Sequence, residues 1–154
     1  MAWTNKDGLN VKFGVERSTV GDQGIGLQDE HVLRVRVADM TALATSDTAA
    51  PAGDVPFIPA GAVIKDAYTK VTTACTSGGS ATLGIGTKAV AGTTIDADGI
   101  DAAVAVAALG ADAVVVSDGA LIGTKVTVDS YITTVYGTAV FTAGAVEVVI
   151  KYVL

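Results

Sequence analysis

Reactive side chains are scarce in this sequence. It contains a single cysteine, Cys75, and a single histidine, His31. One thiol excludes an intrachain disulfide framework and a multi-cysteine zinc site, and an isolated thiol is most often a small buried apolar group. A serine or cysteine hydrolase needs a histidine partnered to its nucleophile. His31 stands beside Glu30 with no G-x-S-x-G motif anywhere in the chain, and reads as an exposed or capping residue at the head of a strand.

Charge and aromatic rings are also in short supply. Charged residues make up 17% of the chain, against roughly 25% in a typical domain, and aromatics 5%. The surface must therefore be built largely from Thr, Ser, Gly and Ala. Such a surface suits burial against neighbouring subunits, and small residues equally suit tight packing within one chain. With 10 Lys and Arg against 16 Asp and Glu, the net charge of −6 argues against a nucleic-acid partner, because phosphate binding draws on clustered cations. Arg34 and Arg36 are close together and read as the wet face of a strand.

No uninterrupted apolar run reaches the roughly 18 residues needed to span a bilayer, so no membrane partner is expected. The opening residues "MAWTNKDGLN" lack the basic-then-apolar pattern of a secretory signal. The glycines in "GDQGIG" (21–26) and "GIGTK" (84–88) lack the spacing and strand-to-helix setting of a dinucleotide or phosphate loop, and read as turn and close-packing residues. No catalytic set and no cofactor site is expected.

What is present is a pattern of short strands. A length of 154 residues fits one domain with an appended arm. Residues 1–28 are rich in Gly, Asp and polar groups and read as an extended N-terminal arm, with one strand near "LNVKFG" and a turn at "NKDG". Trp3, Leu9, Val11 and Phe13 are its apolar anchors, since so sparse an arm must dock on something to be ordered. Residues 29–154 form the expected β domain.

"HVLRVRVAD" (31–39) alternates Leu33, Val35 and Val37 with the two arginines, predicting a strand with one wet face. Residues 41–56 have loop composition, and Pro56 and Pro59 keep Phe57 and Ile58 extended. "AVIKDAYTKVTTAC" is rich in β-branched residues, but its alternation is imperfect, which requires either a bulge or partial cover on both faces. "TSGGS" (76–80) predicts a hairpin loop. In "ATLGIG" Ala81, Leu83 and Ile85 point inward, and the small outward Thr82, Gly84 and Gly86 let another backbone approach.

The Ala-rich segment 96–113 fits a short helix of about three turns capped by Asp96 or Asp98 and ended by Gly110, while the two-residue period through Val104 and Val106 fits a strand. Further strands are predicted near 113–116, 120–128, 131–136 and 138–142, and in "AVEVVIKYVL" (145–154), where Val146, Val148, Ile150, Tyr152 and Leu154 share a face. Seven or more short strands predict an all-β fold, an antiparallel β-sandwich of jelly-roll type with the N-terminal arm appended.

Asp96, Asp98 and Asp101 form the best metal candidate, because closely spaced carboxylates suit calcium. The full calcium-loop pattern is absent, so capping or a solvated loop is the simpler reading and no metal is expected. A sugar-binding face would draw on Trp3, Tyr68, Tyr131 and Tyr136, for which core packing or arm anchoring is more economical.

The segments "WTNKDGLNVKFG", "FIPAGAVIKDAYTKVTTAC", "GSATLGIGTK", "DADGID" and "FTAGAVEVVIKYVL" together resemble small structural proteins of tailed bacteriophages, of the marine and cyanobacterial phage type. The similarity covers most of the chain and lies in strand and turn pattern. It implies a non-enzymatic virion component, a decoration or cement protein on the outer capsid surface. Its partners would be the major capsid protein and its own copies, with a trimer as the expected homo-oligomer. Trp3, Leu9 and Phe13 are then the docking residues of the arm. The alternative is a tail, fibre or knob module that recognises a host glycan.

Overall fold

A computed structural model describes residues 2–4, 10–12, 30–45 and 57–154. Two short strands, β1 (Ala2–Thr4) and β2 (Asn10–Lys12), pair antiparallel, with Trp3 opposite Val11. The strand expected near residues 9–14 is thus found. Leu9, Phe13 and the turn at 5–8 lie outside the described residues, as does the side chain of Trp3.

The alternation read in residues 31–37 is realised in β3 (Glu30–Val37): Leu33 is buried, Val35 and Val37 half-buried, and Arg34 and Arg36 exposed. The other strands are β4 (Phe57–Ile58), β5 (Val63–Ser77), β6 (Thr82–Ala89), β7 (Thr94–Ala105), β8 (Val114–Val116), β9 (Ser130–Gly137) and β10 (Phe141–Val153). They form two four-stranded sheets ordered β3-β10-β5-β8 and β4-β9-β6-β7. Every strand pair in both sheets is antiparallel. Counted from β3, the sheets hold the first, eighth, third and sixth strands and the second, seventh, fourth and fifth. That is the winding of a jelly-roll-like sandwich.

The core lies between the sheets. Ile64, Ala67, Val71, Val146, Val148 and Ile150 face Ile58, Leu83, Ile85, Ile100 and Ile132 in one continuous cluster. Met40 fills one end of it from a 3-10 turn, Met40–Ala42. The turn starts where Asp39 accepts hydrogen bonds from the Thr41 amide at 2.9 Å and the Thr41 hydroxyl at 2.7 Å, a local cap of the kind short acidic side chains supply.

Bulges account for the uneven pattern of β5. Pairing with β10 steps from Lys151↔Asp66 to Tyr152↔Ile64, from Val146↔Val71 to Ala145↔Thr73 and from Ala145↔Thr73 to Ala143↔Thr76, leaving Lys65, Thr72 and one residue between Thr73 and Thr76 as extra residues. Each resets the parity, so Ile64, Ala67, Thr69, Val71 and Cys75 all reach the interior. The Thr72 hydroxyl donates to the Ala145 carbonyl at 3.0 Å, closing its bulge.

Three expectations are corrected and one left open, at 96–113, is resolved. "TSGGS" is not a hairpin loop: β5 and β6 belong to opposite sheets, and residues 78–81 carry the chain across the sandwich. The 96–113 segment resolves as β7 followed by a 3-10 turn, Val106–Ala108, and no α-helix occurs among the described residues. Pairing with β6 outweighs the alanine propensity. The predicted strands 138–142 and 145–154 are one strand, β10, which bends through Gly144 at φ +131°.

Finally, 120–128 is not a strand. The Gly119 and Leu121 amides donate to Ile100 and Gly99, and Ile122 and Thr124 close tight turns onto Gly119 and Leu121. The Gly119 and Leu121 amides thus serve a bulge in β7, while the Gly123 and Val126 amides donate to Ile64 and Ala62. Between Ile85↔Asp101 and Thr87↔Asp96, β7 carries three more residues than β6, and the Asp96–Ala97 backbone passes where a side chain at Gly86 would lie. The close approach expected at the small outward residues of β6 is therefore made by the chain's own neighbouring strand.

Candidate functional site

The polar residues singled out in the sequence do not converge. His31 stacks on Tyr152 across the β3–β10 ladder, with ring centroids 5.2 Å apart and planes inclined by 22°, a packing contact. Cys75 is buried, and burial pushes its thiol up, away from the reactive thiolate.

Asp96 and Asp98 do meet. A side-chain hydrogen bond to Asp96, and then the Asp96 charge, raise the Asp98 carboxyl above its ordinary value, the behaviour of two acids sharing a proton. Asp101 is separate from this pair. It faces the same way as Ile85 and is buried to 7% exposure. Burial raises its carboxyl, Ser117 opposes the shift and the Asp118 charge adds to it. The Ser117 hydroxyl comes close without reaching good hydrogen-bond geometry. No group of three or more His, Cys, Asp or Glu side chains among the described residues could hold a metal ion.

Three of the four candidate sugar platforms are built into the sheets, the side chain of Trp3 lying outside the described residues. Tyr136 packs against the core opposite Leu83. Tyr68 is half-buried in β5 between Val149 and Val116. Tyr131 is half-buried against Phe57, edge to face, at 6.5 Å between centroids.

The outer faces are the features with functional character. On the first sheet, register aligns Arg34, Val149, Tyr68 and Val116 in one row of the outer face, where Val149 is covered by its neighbours, and Arg36, Glu147, Lys70 and Val114 in the next. The Arg34 guanidinium bonds Glu147 at 3.2 Å between these rows. At the β8 edge the rows end in Val116, 70% exposed, and Val114, 58% exposed. No strand among the described residues pairs with the far side of β8. An exposed apolar edge is a template for association.

Sequence reasoning placed β8 but missed its exposure. A run of three valines reads as buried, and its place at the end of a sheet of strands distant in sequence is what uncovers two of them. On the second sheet, Phe57 is an exposed ring on the edge strand β4. No helix among the described residues is long and apolar enough to cross a membrane.

No protein-family model and no curated protein matches the chain. Among solved structures, it is similar to a chain in the capsid asymmetric unit of cyanophage Pam1. The TM-score is 0.58 at 18% identity, over 82% of this chain and 85% of that one. It is also similar to a chain in the capsid of Ralstonia phage GP4, with a TM-score of 0.54 at 19% identity, over 81% and 84%. At this identity the likeness establishes a common fold.

Proposed function

We propose that the protein is a non-enzymatic structural component of a tailed-phage virion, a decoration protein that binds the outer surface of the major capsid protein and reinforces the head. The observation that carries this reading is the shared fold with chains of two phage capsids over more than four fifths of each chain. A weakly charged surface with exposed valines on a free sheet edge supports it. A cement protein works by burying apolar area across joints, at about 25 cal/mol per Å² before association costs are subtracted. Repetition over a shell turns modest contacts into collective resistance.

In this reading the β8 edge is covered by another copy in a homo-oligomer, a trimer, and the arm of residues 1–28 reaches the capsid through Trp3, Leu9 and Phe13. Electron cryomicroscopy of intact virions tests it. The expected result is density of this sandwich repeated over the outer capsid lattice. Density confined to the tail, or none in the particle, would overturn it and bring the glycan-binding alternative forward.

A further inference from the structure

One cavity has a chemistry that the structural role does not use. It has a volume of about 290 Å³ and lies where the β6–β7 hairpin meets the 121–127 segment. Its wall includes Thr87 of β6, Ile95 of β7, Leu121, Val126, Lys125 and Ser130. The size is at the lower end for small-molecule sites, which run from roughly 300 Å³ upward.

The wall's hydrogen-bonding capacity selects the ligand. The Ser130 hydroxyl already donates to the Val128 carbonyl at 2.6 Å, and Thr124, also on the wall, donates to Leu121 at 2.8 Å. Thr87 differs: it is 1% exposed and its hydroxyl has no partner among the described residues. A buried hydroxyl without a partner is destabilising and uncommon. Lys125 is exposed and forms no ion pair with a described residue. The cavity wall therefore includes a residue whose unspent O–H lies just beneath the surface, and an exposed cation, beside the apolar surfaces of Ile95, Leu121 and Val126, with no acidic side chain among the lining residues. A sugar would ask for acceptors and a stacking ring, and the wall has neither carboxylate nor aromatic group.

We propose that this cavity binds a small amphiphilic monocarboxylate, its acyl chain against Ile95, Leu121 and Val126 and its carboxylate drawn to the Thr87 hydroxyl and the Lys125 ammonium. Binding satisfies the orphaned hydroxyl and fills apolar space at once.

The test is a titration of the full ¹⁵N-labelled chain with sodium octanoate, followed by amide chemical shifts, with 1-octanol and octylammonium as neutral and cationic controls. Octanoate should give saturable shifts centred on Thr87, Ile95, Leu121 and Val126, and bind more tightly than either control. Lys125→Met should weaken octanoate about tenfold, the loss expected for a hydrogen bond to a charged group, and leave octanol unchanged. Thr87→Val should also weaken octanoate while raising the melting temperature of the unliganded protein, a pair of opposite effects that misfolding cannot produce. Absence of saturable shifts, shifts centred on Val114 and Val116, or equal affinity for octanol or octylammonium would overturn the assignment.

Discussion

Gly144 and Cys75 meet across β10 and β5 so closely that a Cβ on the glycine would lie 2.6 Å from the Cys75 Sγ. The same glycine adopts φ +131°, a conformation that other residues rarely take. Steric and backbone penalties therefore add. Gly144→Ala should lower stability by about 3 kcal/mol in urea denaturation. Gly78, with φ outside the positive range and nothing within 4 Å of its added Cβ, is the control: Gly78→Ala should stay within about 0.5 kcal/mol. Similar losses at the two sites would contradict the packing described for the β10 bend.

Thr69 points into the core between Ala67 and Val71, fully buried, with no partner for its hydroxyl among the described residues. Thr69→Val removes an unsatisfied polar group and retains the branched shape. A gain of about 1 kcal/mol is expected, seen as a rise of about 2–4 °C in thermal midpoint. A drop would mean that the hydroxyl is hydrogen-bonded.

Asp101 gives stability a defined dependence on pH. Its folded-state carboxyl is raised above the ordinary value of 3.8, chiefly by burial. Between that value and the raised one the folded protein holds more protons than the unfolded chain, so stability falls as pH rises through this window. Asp101→Asn removes the charge that burial opposes. The variant should be more stable than the parent at pH 7, and the advantage should shrink as pH is lowered toward 4. Urea denaturation at stepped pH measures this; an advantage that grows on acidification would refute it.

Val114 and Val116 stand outside the core, so charging them should leave the sandwich intact. On the proposed contact between copies, the double variant Val114→Lys, Val116→Lys is expected to run as a monomer in light scattering where the parent runs as an oligomer, with a melting temperature within about 2 °C of the parent. An unchanged oligomer would exclude the β8 edge as the contact between copies.

Removal of residues 1–14, which carry Trp3, Leu9 and Phe13, should weaken co-sedimentation with capsids at least tenfold and leave the unfolding midpoint of the sandwich nearly unchanged. Full attachment by the truncated protein would eliminate the arm as the docking element.

Much of the fold was legible because single strands with one wet face write their burial into the sequence. Leu33, Val35 and Val37 in β3, and Val146, Val148 and Ile150 in β10, are where the two-residue period places them. The imperfect alternation of 63–77 was a faithful record of three bulges. The errors arose where a residue's meaning depends on distant partners. The gap left between the predicted strands 138–142 and 145–154 is, at Gly144, a bend within β10, whose neighbours Ala143 and Ala145 both pair with β5. Leu121 and Ile122 read as strand residues, and their amides are spent on turns and on the β7 bulge.

The functional surfaces were less legible than the fold. The cavity joins Thr87, Ile95, Leu121 and Ser130, and no local pattern announces that these will face one space. The aspartates divided for a similar reason: extra residues in β7 leave Asp96 beside Asp98 and turn Asp101 toward Ser117.

The pairing of β3 with β10 also gives the sandwich a direction of mechanical weakness. Their eight rungs run from Glu30↔Val153 to Val37↔Val146, so the two ends of the wound domain leave it side by side. Tension that draws residue 30 away from residue 153 opens these rungs in succession, like a zip, and never meets more than one at a time. A force along the strands must shear the whole ladder together. The fold therefore resists stretch delivered along its strands far better than a pull that parts residue 30 from residue 153.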